Sequence, residues 1–276
     1  DTEVLLAAFA EWGEDCLRLL NGMFAFAVWD ERERTLTLAR DRLGVKPLFY
    51  ATARGEDGAE SFLFASEAKA ILASGLVRAE LDAVALDQQL TFLWTPDPHT
   101  LFRSVWRLPP AHLLTWRDGE VSVREWWDVS FDETEEGRGE DWWRERVLET
   151  LDGVVGMEMV ADVPLGSFLS GGVDSSVIVA MMNRHAEGRR VSTYTIGIEA
   201  EDLRYDIIPD DVVWARRVNE LLDTDYHEIM LKPDVAELLP KLVYHMDEPV
   251  ADPDVMTSYL VSRAARETLT VLLSGV

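Results

Sequence analysis

Cysteine is almost absent from this chain of 276 residues: Cys16 is the only one. That excludes a disulfide framework and a cysteine-based zinc site. Lysine is nearly as scarce, occurring only at Lys46, Lys69, Lys232 and Lys241, and arginine supplies the other basic groups. Positive charge is short overall. There are 26 Lys and Arg against 51 Asp and Glu, a formal net charge of −25. So acidic a surface repels nucleic acid and anionic membranes, which excludes a DNA or RNA role without a dedicated basic patch. No apolar run reaches the ~18 residues of a membrane span, and no secretory signal pattern occurs, so the expectation is a cytoplasmic protein. Asp1 leads straight into an apolar helix without a Met, and "TVLLSGV" stops as a turn begins. The expectation is an internal fragment of a longer protein.

What is present suffices for a large core: 47% hydrophobic residues, 9% aromatic. With this length it suggests two domains. "DTEVLLAAFAEWG" has helical apolar spacing with Gly13 as its stop, and "EDCLRLL" follows as a short helix carrying Cys16 as a small buried hydrophobe. "GMFAFAVWD" and "TLTLAR" read as a hairpin of buried strands, and "KPLFYATA" and "ESFLFAS" as a second pair. "SEAKAILASG" and "LDAVALDQQLTFLW" read as helices. "SVWRLPPAHLLTWRDGEVSVREWWD" returns to strands around an "RDG" turn. Residues 1–128 thus predict strand pairs with helices on a face, an α+β layered domain. The acidic, Gly-containing stretch 129–140 reads as a linker. From 141 to 276 strands and helices alternate, which predicts a parallel sheet in an α/β domain.

The densest signal is "FLSGGVDSSVIVA", residues 168–180. In a parallel sheet, ligands sit at the carboxyl ends of strands, and Ser170 lies there. Gly171 and Gly172 let backbone amides face a ligand without a Cβ in the way. A helix starting near Val173 aims its free N–H groups and dipole at the same spot. Ser170, Ser175 and Ser176 add hydroxyls, making an anion nest without a lysine. Asp174 would repel a bare phosphate. It suits a bridging Mg²⁺, or hydrogen bonds from a ribose or a nucleophile; a helix cap with no ligand is the alternative.

"LSGGVDSS" resembles the phosphate loop of the ATP-pyrophosphatase family, which splits ATP between its α- and β-phosphates. The whole chain is similar to glutamine-dependent asparagine synthetases of the class B type. "NGMFAFAVWD", "ARDRLGVKPLFY" and "FASEAKAIL" resemble the back part of their glutaminase domain. "DVPLGSFLSGGVDSS", "YTIGI", "DEPVADPDVMTSYLVSRAARE" and "VLLSG" resemble their synthetase domain, in the family's order. The implied fold is the back part of an N-terminal-nucleophile glutaminase sandwich, followed by an α/β domain of the adenine nucleotide alpha hydrolase type. The implied activity is hydrolysis of glutamine, passage of ammonia through an internal channel, and Mg–ATP-dependent adenylation of aspartate, with AMP and pyrophosphate released and asparagine formed. A homodimer is the family's habit.

By this resemblance Leu169 flanks the adenine, and Ser170, Gly171, Gly172, Asp174, Ser175 and Ser176 handle the pyrophosphate and its magnesium. Ile196 packs on the adenine, or is ordinary core. Ser274 and Gly275 give backbone contacts to the nucleotide. Asp1 matches the aspartate that receives glutamine's ammonium group, and would equally serve as a helix N-cap. Arg40, Asp41, Gly44, Pro47 and Glu67 read as architecture at the domain boundary. Asp247 and Glu248 are candidates for the amino-acid pocket, or for a solvated acidic loop. Two departures stand out. The N-terminal cysteine nucleophile is absent, and Cys16 sits in the wrong context to replace it. Val276 stands where asparagine synthetases usually carry an acid, and relatives that close a β-lactam ring also lack that acid, so amidation or cyclisation of another carboxylate is the alternative activity, with a catalytically incomplete fragment as a further one.

Overall fold

Residues 1–55, 58–131, 135, 137–198, 211–231, 235–250, 252 and 254–275 are described by the computed structural model. The chain divides into two units: Asp1–Glu133 with Val243–Ala251, and Thr134–Leu242 with Asp252–Val276. The division after Glu133 falls inside the acidic, Gly-containing stretch.

In the first unit, α1 (Thr2–Trp12), a 3₁₀ turn (Gly13–Asp15) and α2 (Cys16–Leu19) precede a four-stranded antiparallel sheet. Its order is β1–β2–β6–β7, with β1 Ala25–Asp30, β2 Thr35–Arg40, β6 His112–Arg117 and β7 Glu120–Glu125. A second antiparallel sheet runs β4–β3–β5, from Glu60–Ala65, Phe49–Arg54 and Trp106–Arg107. Helices α3 (Ala68–Ala73) and α4 (Ala83–Phe92) lie between β4 and β5 in sequence. Successive strand residues point to opposite faces, and in the inner strands β2 and β6 neighbouring residues are buried on both. Leu38 and Leu114 join Leu48, Leu108, Tyr50 and Phe62 in one cluster. Their neighbours Ala39 and Leu113 enter another with Leu17 of α2 and Trp126. Phe49 and Ala51 face a third, with Ala68 and Ile71 of α3.

The second unit holds a parallel sheet in the order β10–β9–β8–β11. Its strands are β8 Leu165–Phe168, β9 Ser192–Ile198, β10 Asp225–Leu231 and β11 Val271–Leu273. The helices are α5 (Glu140–Glu158), α6 (Val173–His185), α7 (Asp211–Leu222), α8 (Val235–Met246), whose residues from Val243 on count with the first unit, and α9 (Asp254–Ala265). Val155 of α5 packs with Met181 and Met182 of α6. Ala215, Val218 and Leu222 of α7 pack with Leu169, Val179 and Tyr226. Val261 and Ala265 of α9 pack with Tyr194, Phe168, Ile196 and Ile229. Among the described residues no helix is long and apolar enough to cross a membrane.

Nine residues from late in the sequence belong to the first unit, and polar contacts explain why. Asp247 accepts hydrogen bonds from the amides of Ala68 (2.6 Å) and Lys69 (3.3 Å), at the start of α3, and pairs with the Lys69 ammonium at 2.8 Å. Glu248 accepts from the Leu101 amide and pairs with Arg107 at 2.5 Å. Gln89 donates to the Pro249 carbonyl at 2.7 Å.

Candidate functional site

Strands β8, β9 and β11 end side by side, and the site is built where they end. After Phe168 the chain makes the turn Leu169–Gly172 into α6, whose N-cap is Gly172. Gly171 has φ +79°, and a Cβ there would come within 2.5 Å of the Ala215 amide nitrogen in α7. Glycine is therefore required twice, by conformation and by close approach. At Gly275 a Cβ would lie 2.6 Å from the Asp174 carbonyl carbon and the Ser175 amide nitrogen, so the end of β11 rests against the first turn of α6. By helix geometry the first-turn amides have no partner within their own helix, and the macrodipole adds positive potential there.

The loop is ordered by its own hydroxyls. Ser170 and Ser175 Oγ atoms are 3.0 Å apart, and the Ser170 amide donates to Ser175 Oγ at 3.3 Å. The Gly172 amide donates to Ser170 Oγ at 3.3 Å. Ser176 turns its hydroxyl onto the Gly172 carbonyl at 2.6 Å, within its own helical turn. Asp174 is exposed in the first turn, and no side chain caps the helix. The cap reading of Asp174 is therefore not the one the geometry takes.

Beside the loop opens a cleft of about 360 Å³, in the size range of small-molecule sites. Leu169, Ser170, Ser175, Ile196, Ser274 and Gly275 line it, all of them expected from the sequence. Phe168, Tyr194 and Val261 make an apolar wall next to Ile196, while Thr195, Asp211, Asp252, Thr257 and Ser258 add polar groups. The sequence reading missed these last eight. A strand signal covers Tyr194 and Thr195, but Asp252, Thr257 and Ser258 enter only because α9 packs against β9. No lysine lines the cleft among the described residues. Among the described residues no group of three or more His, Cys, Asp or Glu side chains is placed to hold a metal ion alone. Val276 lies outside the described residues.

The remaining expected residues are in the first unit. Asp1 occupies the N-cap position of α1 without a side-chain capping bond. Arg40 is buried and donates to the carbonyls of Lys46 (2.9 Å), Leu108 (2.6 Å) and Gly44 (2.7 Å), and pairs with Asp97 at 3.2 Å. Asp41 accepts from the amides of Phe24, Leu43, Val45 and Lys46. Burial alone would raise its pKa, but those four donors outweigh burial and hold the carboxyl below its ordinary range. Gly44 has φ +67°, and a Cβ there would crowd Pro110 at 2.8 Å. Pro47 is exposed in the same turn, and Glu67 precedes α3 and pairs with Lys69 at 2.9 Å. The partners of Arg40 and Asp41 all belong to the first unit. Asp247 and Glu248 are neither a solvated loop nor part of the cleft lining: both are engaged inside the first unit. Burial pushes the Glu248 carboxyl up, against the pull of the Leu101 amide and Arg107. Cys16 is buried, and burial, reinforced by Asp15, raises its thiol pKa.

Residues 1–127 match the family model of a glutamine amidotransferase domain, and residues 146–276 match that of asparagine synthase. The two in tandem define an amidotransferase–synthase chain. An asparagine synthetase [glutamine-hydrolyzing] 3 of Bacillus subtilis is 36% identical over 292 residues, covering all of this chain and 45% of the relative. A second from the same organism, asparagine synthetase [glutamine-hydrolyzing] 1, is 32% identical over 276 residues, covering 100% and 41%. A putative asparagine synthetase [glutamine-hydrolyzing] 2 of Methanocaldococcus jannaschii is 33% identical over 280 residues, covering 100% and 52%. The chain belongs to the glutamine-hydrolysing asparagine synthetase family, and it spans about half the length or less of these relatives. A solved glutamine-dependent NAD+ synthetase from Acinetobacter baumannii aligns over 95% of this chain and 62% of its own at 10% identity, with a TM-score of 0.34.

Proposed function

We propose that the full-length protein makes asparagine from aspartate, using glutamine as nitrogen donor and ATP as the activating reagent. The observation that carries this is the cleft at the ends of β8, β9 and β11, where an apolar wall adjoins a glycine turn at a helix N-terminus. Phe168, Tyr194, Ile196 and Val261 suit a flat purine. The amides of the Ser170–Ser175 turn suit the phosphates. Amides and the helix dipole of α6 supply positive potential at the turn, and among the described residues no lysine lines the cleft.

Magnesium fits the residues present. Asp174 is an exposed carboxylate in the first turn of α6, and no protein cluster competes for the ion among the described residues. Asp174 would supply one hard oxygen, and phosphate oxygens the others. Bound there, the ion would neutralise charge that builds on the leaving pyrophosphate.

In this reading an aspartate side-chain oxygen attacks the α-phosphorus, and the bond to the β-phosphate bridging oxygen breaks. The product is β-aspartyl-AMP plus pyrophosphate. Ammonia attacks the acyl carbon, AMP leaves with the bonding pair, and the nitrogen loses a proton. Adenylation is needed because a carboxylate is a very poor acceptor and AMP a good leaving group. The first domain is read as the back part of an N-terminal-nucleophile glutaminase, and the second as an ATP-pyrophosphatase fold. Cytoplasmic placement, a homodimer and no nucleic-acid partner belong to the same reading, the last supported by the net charge of −25.

The test is product analysis of the full-length protein with ATP, magnesium, glutamine and aspartate. AMP and pyrophosphate are expected; ADP and phosphate would overturn the reading. A second reading rests on Val276, which stands where an acid is usual: ligation of a different carboxylate. AMP release from a panel of amino acids separates the two.

A further inference from the structure

Leu169, which joins β8 to the loop, is held through both of its backbone polar groups. The Leu169 amide donates to the Tyr194 carbonyl at 2.9 Å. The Leu169 carbonyl accepts from Thr195 Oγ1 at 2.5 Å. The next amide, Ser170 N–H, belongs to the same rigid peptide plane and donates to Ser175 Oγ at 3.3 Å. A peptide plane has one orientation, so fixing its carbonyl fixes where its N–H points. Leu169 and Thr195 are 1% and 2% exposed, so this hydrogen bond has no water competing for it.

The proton order follows from the chemistry of the groups. A carbonyl only accepts, so the single Thr195 hydroxyl proton goes to Leu169. The Tyr226 ring packs against Leu169, Ala215 and Leu222, and its hydroxyl donates to the Glu228 carboxylate at 3.5 Å, so among the described residues Thr195 alone supplies the donor to the Leu169 carbonyl.

We infer that Thr195 is a positioning residue for the loop: its hydroxyl holds the Leu169–Ser170 peptide in the orientation that presents the turn to the phosphates. The inference rests on the nucleotide reading above. Thr195→Val keeps the shape and removes the hydroxyl, leaving a buried carbonyl without a donor. Thr195→Ser keeps the hydroxyl, and Thr195→Ala removes it with less bulk than valine.

The experiment measures ATP affinity by calorimetry, and KM and kcat for ATP, in the full-length protein and these three variants. T195V is expected to weaken ATP binding about tenfold, which corresponds to about 1.4 kcal/mol. Its KM should rise with kcat nearly unchanged. T195S should bind within about twofold of the parent, and T195A should weaken binding as T195V does. A merely structural defect lowers the amount of active enzyme, so kcat falls and KM stays; that pattern overturns the inference. T195V binding like the parent, or T195S losing as much as T195V, also overturns it. If T195V does not fold, T195A decides: weakened binding supports the inference and unchanged binding overturns it. A parent that binds no ATP overturns the nucleotide reading, and this inference with it.

Discussion

Asp174 stands on the second residue of α6, exposed and not serving as its cap. Asp174→Asn keeps the size and removes the charge, so the full-length variant should show a near-parental melting temperature. Its ATP-dependent turnover should fall roughly tenfold or more, as a charge-assisted contact of this kind is worth about 1.5–3 kcal/mol, and more magnesium should be needed for half-maximal rate. Parental activity at low magnesium would remove any catalytic role for the charge. Asp41 makes a different prediction, about pH. Its folded pKa is depressed, so between the folded and unfolded values the unfolded state binds more protons. The stabilisation it contributes is present above the ordinary carboxylate range, near pH ~4, and is lost as pH falls through the folded value. Asp41→Asn should therefore be less stable at neutral pH and show a flatter decline on acidification, measured by urea denaturation at several pH values. An unchanged acid limb would overturn this.

At the scale of elements, the loop and α7 touch through one missing Cβ. Gly171→Ala would force a methyl against the Trp214–Ala215 backbone at φ +79°. Overpacking costs about 1–3 kcal/mol, and left-handed backbone at a residue with a Cβ about 1–2 more. Chemical denaturation should show a loss of that order, and a variant of parental stability would mean that the turn relaxes freely. The segment Val243–Ala251 gives the second test. Glu248 is 7% exposed and paired with Arg107. Glu248→Ala leaves Arg107 with one partner fewer and the Leu101 amide without its acceptor. Breaking a buried pair from one side costs about 3–5 kcal/mol, so a fall in the first unit's melting transition is expected. A change below about 1 kcal/mol, the range of surface pairs, would show the pair to be dispensable.

For the whole molecule, the charge imbalance governs stability. With a formal net charge of −25, self-repulsion weakens the folded state at low ionic strength. Raising sodium chloride towards ~0.5 M, where screening lengths fall to a few ångströms, should raise the melting temperature; a fall would show that specific ion pairs outweigh the repulsion. The 276-residue chain should also release no glutamate from glutamine. Its one thiol is buried, with its pKa raised by that burial, so little thiolate forms. Glutamate release that disappears in Cys16→Ala would overturn this.

Local patterning determined the elements by itself. Period-two and apolar runs marked β1 to β4, glycine marked the end of α1, and the S-G-G-x-D-S turn between strand and helix marked the loop, because each depends on residues a few positions apart. Such signals survive in a linear reading because backbone sterics and helix geometry act over the same short range. Long-range partners were not legible. Nothing in "MDEPVADPD" announces that Asp247 would meet the amides of α3 and Glu248 would meet Arg107, about 140 residues earlier. Nothing in "YTIGI" shows that Thr195 would donate to Leu169. Which carboxylate is buried and paired, and which hydroxyl orients a peptide, follows from packing in three dimensions. Burial and hydrogen-bond geometry set those roles, and both exist only once the chain has folded.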